Sequence, residues 1–192
     1  MYVTKSKYYQ HQESFWRINS TTSGCYTPML KTMLDQFFNL HTYYARAFVL
    51  RFDLRQASYT DSNQRMTQFF RRLSKQLKAK YKLKRLAYFW VREKDRSQAQ
   101  HYHCVLFVDG RMVNYSTNIS SLCEAIWTDM SGAYWRPENC FYLSHRDDEA
   151  VQQKVIWRIS YLAKTRTKAD KPPQTKSYGS SRISPNPKSL IR

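Results

Sequence analysis

The chain has 192 residues, 42% of them hydrophobic and 16% aromatic, and 32 Lys and Arg against 14 Asp and Glu give it a formal net charge of +18. That is enough apolar material for one domain with tails, and a charge surplus that points to a polyanion, nucleic acid before an anionic membrane surface. Cys25, Cys104, Cys123 and Cys140 show no Cys-x-x-Cys spacing, so they suggest neither a zinc ribbon nor a disulfide framework, and they fit a reducing cytoplasm. No run reaches membrane-spanning length, the opening residues lack an apolar signal core, and none of the four glycines forms a phosphate loop, which argues against an ATP-driven motor in this chain.

In chain order, residues 1–26 are polar and aromatic and carry no assignable pattern. Thr27-Pro28 reads as a helix N-cap followed by proline at the first helical position, and Met29, Leu30, Met33, Leu34, Phe37 and Phe38 follow at helical spacing. Residues 47–54 alternate as a strand, with Phe48, Leu50 and Phe52 on one face and Val49, Arg51 and Asp53 on the other. Asp61 and Gln64 suggest a capping box opening a second helix, whose apolar positions are Met66, Phe69, Phe70, Leu73 and Leu77. Its outer side and the following turn carry Arg71, Arg72, Lys75, Lys84 and Arg85. Such a run suits a solvated helix face, and equally a phosphate backbone.

The centre of the chain is residues 85–110. Two apolar runs, 86–91 and 104–108, flank a polar segment, 94–100, and read as a β-hairpin with a long loop. His101 and His103 point to the same side of the second strand, and folding about Ser97 sets Glu93 opposite them. One carboxylate and two imidazoles can then converge on one divalent ion with positions open for substrate, although a His-x-His pair also suits an ordinary half-exposed strand.

Beyond the hairpin, residues 117–130 carry Ile119, Leu122, Ala125 and Ile126 as a helix ending near Gly132, and residues 141–143 suggest a short strand with His145 after it, outside the metal set. Residues 147–165 open acidic and close basic, as a helix dipole favours, with Val151, Val155, Ile159 and Leu162 as the apolar stripe. Tyr161 lies off that stripe, with Trp157 four residues before and Lys164 three after. This fits an amphipathic surface tyrosine, and also a phenol whose charged form a lysine stabilises. From Lys164 on, the chain is basic and rich in Ser, Pro and Lys, and residues 171–176 and 185–188 read as loop or linker.

Glu93, the histidine pair in His101-Tyr102-His103, and Tyr161-Leu162-Ala163-Lys164 on a later helix together resemble the HUH endonucleases, in the motif order of rolling-circle replication initiators. The phrases WVREKDRSQAQHYHCVLFVDG, ISYLAKTR and SYGSSR more narrowly resemble the inovirus-type replication proteins, the YagK/YfjJ-like family of phages and prophages, over residues 44–182. The resemblance implies an α+β fold, a central antiparallel sheet flanked by helices with an RRM-like palm. It also implies segments 1–26, 27–166 (catalytic) and 167–192 (basic tail).

The resemblance further implies magnesium or manganese on Glu93, His101 and His103, Tyr161 as nucleophile and Lys164 as its electrostatic helper. Arg71, Arg72, Lys75, Lys84, Arg85 and Arg166 are the expected DNA contacts. The expected function is nicking and rejoining of single-stranded DNA at an origin through a 5′-phosphotyrosine, in a bacterial host's cytoplasm, with the host's helicase and polymerase as partners. A single-tyrosine HUH transposase and a non-enzymatic single-strand-binding module are the alternatives.

Overall fold

Alternation along one long strand divides the molecule into two apolar layers. A computed structural model describes residues 2–20, 22–94, 99–165 and 173–189. Its central sheet runs β10-β6-β7-β5-β8 in space, with β9 also paired to β5 and every pairing antiparallel. The strands are β5 (Arg46–Gln56), β6 (Leu86–Glu93), β7 (His101–Asp109), β8 (Gly132–Trp135), β9 (Phe141–His145) and β10 (Tyr178–Ser180). The helices are α1 (Thr27–His41), α2 (Gln64–Tyr81), α3 (Thr117–Asp129) and α4 (Glu149–Ser160). The fold is therefore α+β, an antiparallel sheet with helices on both faces. Among the described residues no helix is long and apolar enough to cross a membrane.

Because side chains alternate along a strand, odd and even positions of β5 feed different layers. Ala47 and Val49 join Ala87, Phe89, Val91, Val105 and Phe107 beneath α1 and α4. Phe48, Leu50, Phe52 and Leu54 join Tyr102, Cys104, Leu106 and Val108 beneath α2 and α3. Phe107 is fully buried, so its truncation to alanine costs about 3–5 kcal/mol.

Helix starts differ from the sequence reading. Thr27 is already inside α1 and Tyr26 is its cap, because the Thr27 hydroxyl donates to the Tyr2 carbonyl at 3.2 Å. Helix α2 begins at Gln64 rather than after an Asp61 cap, and the Ser62 hydroxyl accepts the Gln64 N–H at 3.0 Å. Asn63, the residue at the cap position, spends its side chain elsewhere: its carbonyl oxygen accepts from Arg92 and Tyr102, and its amide donates to the Lys176 carbonyl. The last helix is shorter than residues 147–165. It starts at an Asp148 cap that accepts the Val151 N–H and passes into a 3-10 turn, Tyr161–Ala163.

Both ends of the chain take part in the fold. Residues 2–20 and 22–26 form two small ladders, β1 (Val3–Thr4) with β4 (Cys25–Tyr26) and β2 (Tyr8–His11) with β3 (Ser14–Arg17), and bury Trp16 and Ile18 against α1. At the other end Tyr178–Ser180 forms the sheet's edge strand on β6, between the two stretches of the tail, residues 171–176 and 185–188, that read as loop or linker. Ser97, the expected hairpin pivot, and Arg166 lie outside the described residues.

Candidate metal centre

The register of β6 on β7 builds the centre. Glu93 stands opposite His101 and Val91 opposite His103, so Glu93 faces one histidine directly and the other diagonally. All three share the odd-numbered face under α1 and α4, where the apolar layer ends. Their ligand atoms lie within 4.8 Å of one another, a cluster able to hold a metal ion. Glu93 Oε2 is 3.3 Å from His103 Nε2 and 3.9 Å from His101 Nε2. Glu93 and His103 are buried and His101 is half-buried, which leaves access from one side.

Strand β5 supplies a second layer to which the sequence reading gave no role. His103 stands opposite Asp53 in register, and His103 Nδ1 is 2.7 Å from Asp53 Oδ1. Arg51, two residues back and therefore on the same face, reaches Asp53 Oδ1 at 3.2 Å and His103 Nδ1 at 3.2 Å. All three side chains are buried, so the Arg51–Asp53 pair neutralises itself while the carboxylate holds the imidazole. The signal was in the sequence: Arg51 and Asp53 are charges on the inward face of an otherwise apolar strand.

The two histidines differ electrically. Burial, aided by the neighbouring His103, lowers the His101 pKa against the opposing pull of Glu93, which keeps a neutral ring ready to ligate. Burial also acts downward on His103, but hydrogen bonds to Asp53 and Glu93 outweigh it and raise its pKa. Flanked by carboxylates at both nitrogens, the His103 ring holds a proton more firmly than a free imidazole, and a cation bound at Nε2 would have to displace it.

Tyr161 sits beside this centre, its ring 6.3 Å from that of His103 and nearly perpendicular to it at 80°. It is 42% exposed. Lys164 Nζ lies 4.1 Å from the centre of the Tyr161 ring, and burial lowers the Lys164 pKa. The N-terminal segment braces this turn. Lys164 bridges to Cys25, the Thr165 N–H donates to the Gly24 carbonyl at 3.1 Å, and the Asn19 N–H donates to the Ser160 hydroxyl at 2.9 Å. Gly24 has φ +77°, and a Cβ there would stand 2.7 Å from the Thr4 carbonyl oxygen, so this brace requires glycine.

Other candidates lie elsewhere. Tyr102 points to the opposite face, fully buried, with its hydroxyl donating to Asn63 at 3.1 Å. His145 is exposed and pairs with Asp147. Arg71, Arg72 and Lys75 belong to α2, which covers the sheet face away from the centre. Arg72 is engaged with Asp129 at 2.6 Å, and Arg85 lies over the Tyr43 ring at 4.1 Å. A cleft of about 990 Å³ opens between the start of α2 and β10 and shares no residue with the centre.

No curated protein and no solved structure matches the chain. A sequence profile for the YagK/YfjJ C-terminal domain matches residues 8–181, a span that holds every residue of the centre and the turn beside it. The chain belongs to the YagK/YfjJ C-terminal domain family.

Proposed function

We propose that this protein is an HUH-type endonuclease, a rolling-circle replication initiator of the inovirus type, which nicks single-stranded DNA at an origin and rejoins it. The observation that carries this reading is the convergence on one sheet face of a Glu-His-His ligand set and an exposed tyrosine with a lysine against its ring. Glu93, His101 and His103 would hold magnesium or manganese. One carboxylate and two imidazoles, with Asp53 on the outer nitrogen of His103, fit such an ion. When bound, it supplies Lewis-acid polarisation of the scissile phosphate.

The chain's own residues account for the rest. The Tyr161 oxygen attacks phosphorus and the bond from phosphorus to O3′ breaks. The phenol proton passes to water, and the departing O3′ takes a proton from water. A 5′-phosphotyrosine and a free 3′ hydroxyl result, and attack by a 3′ hydroxyl in the reverse sense rejoins strands. The Lys164 ammonium offsets negative charge on the phenolate and on the phosphoryl oxygens. The free 3′ end is a primer for a polymerase of the bacterial host, with the host's helicase separating strands. Arg71, Arg72, Lys75, Lys84 and Arg85 hold flanking DNA that wraps beyond the cleaved strand.

Circular single-stranded DNA carrying the origin, incubated with protein and manganese, tests this. Wild type should yield nicked DNA and a protein–DNA species stable to denaturant. A chelator, or His103→Ala, should remove both while most DNA affinity remains. Equal cleavage by wild type and His103→Ala in chelator contradicts the reading, and binding without cleavage in either metal favours a non-enzymatic binding module.

A further inference from the structure

The outer side of α4 carries a second feature one turn from Tyr161. Lys154, Trp157 and Tyr161 are three and four residues apart and share an exposed row, while Val155, Ile156 and Ile159 fill the core behind them. Trp157 is 39% exposed, a large aromatic surface left in water beside the proposed nucleophile. The Arg17 guanidinium, at the end of β3, lies 5.0 Å from the centre of the indole ring. Arg17 is fixed there by its backbone: its N–H donates to Gln153 Oε1 at 2.9 Å, and Gln153 Nε2 donates to its carbonyl at 2.8 Å. Arg17, Tyr142, Gln153, Lys154 and Trp157 line a shallow groove of about 380 Å³.

That lining is two aromatic rings, one amide and two cations, with no carboxylate. Rings offer a base a stacking surface whatever its sequence, and Arg and Lys offer charge to the phosphate beside it. One helical turn, about 5.4 Å of rise, separates Trp157 from Tyr161, so a strand on the tyrosine reaches the groove within a few nucleotides. We propose that this groove is a subsite for one nucleotide of the single-stranded DNA cleaved at Tyr161. Its base stacks on Trp157 and Tyr142, and its phosphate lies between Arg17 and Lys154. The assignment of the strand rests on the proposed nuclease function; the groove's chemistry does not.

Binding of a fluorescein-labelled single-stranded oligonucleotide to the full chain in chelator tests the subsite without cleavage. Trp157→Ala should raise Kd about tenfold, within the roughly 1–3 kcal/mol that one base–aromatic stack contributes, and Trp157→Phe should recover most of it. Arg17→Ala with Lys154→Ala should lower the slope of log K against log salt by about 0.7, the value for the one single-strand phosphate they share. Photo-crosslinking of a 5-iodouracil oligonucleotide to the unaltered protein, mapped by peptide mass spectrometry, should mark Trp157 or Tyr142 and needs no variant to fold. An unchanged Kd for folded Trp157→Ala, or crosslinks confined to other peptides, overturns the subsite. Nicking with Trp157-independent binding removes only the subsite, whereas Trp157-dependent binding without nicking removes only the nuclease reading.

Discussion

His103 Nδ1 lies 2.7 Å from Asp53 Oδ1, across the paired strands β7 and β5, with both side chains buried. A ligating imidazole held in this way keeps one tautomer and one ring orientation. Asp53→Ala should weaken manganese binding about 10–100-fold, the usual loss when such a partner is removed. Asp53→Asn, which keeps an acceptor without the charge, should lose less. Calorimetric titration of folded protein with manganese checks this. An unchanged affinity in Asp53→Ala would mean that the carboxylate serves only the buried Arg51, whose pairing with Asp53 is itself close at 3.2 Å.

The central hairpin and the pairing of Glu93 with the histidines were legible in the sequence because period-two alternation fixes which side chains share a face. The exposure of Tyr161 was legible from its place off the apolar stripe, although it stands in the 3-10 turn after α4 rather than in the helix expected over residues 147–165. Asp53 was legible only by face, since nothing local says that β5 lies beside β7 rather than β6; that neighbour relation is long-range. The ends of the chain were opaque for a different reason. Strands of two to four residues, such as β1 to β4 and β10, are too short to show a period, and backbone pairing with distant partners decides them. Capping at Thr27 failed in the same way, because a tertiary hydrogen bond to the Tyr2 carbonyl claims the hydroxyl that local rules assign to the helix, and the cap expected at Asp61 failed because α2 starts only at Gln64.

Charge predicts the salt response. With +18 on the chain, single-stranded DNA affinity should fall log-linearly with salt concentration. Arg71 and Lys75 lie on the helix covering the other face of the sheet from the metal centre. Replacing both with alanine should still reduce the slope, by about 1.4, because flanking DNA wraps past the sheet edge. A slope identical to that of wild type would confine the DNA to the histidine side.

Acid should destabilise the fold through His41. This residue ends α1, is buried with Nε2 3.3 Å from the Ser144 hydroxyl, and burial lowers its pKa from 6.5 to about 4. The unfolded chain therefore binds more protons than the folded one between those values. The stability is present above pH 6.5 and is lost as pH falls toward 4. The loss amounts to about 3 kcal/mol, at about 1.4 kcal/mol per unit. Urea unfolding at pH 7 and pH 4 should show a correspondingly smaller difference for His41→Gln than for wild type. Equal differences would exclude His41 as the source.

The central claim is that one tyrosine out of fifteen forms the bond to DNA. Tyr161 is the one whose ring stands 6.3 Å from His103 with Lys164 Nζ 4.1 Å from its centre. Tyr161→Phe removes one oxygen from a half-open site, so fold and DNA binding should persist while cleavage and adduct vanish. Lys164→Ala should slow adduct formation without abolishing it, since the ammonium offsets charge and makes no bond. The most direct measurement is peptide mapping of the trapped protein–DNA adduct by mass spectrometry. Attachment through the Tyr161 oxygen is the predicted result; attachment at any other tyrosine, or no adduct under conditions that nick the DNA, would contradict the account.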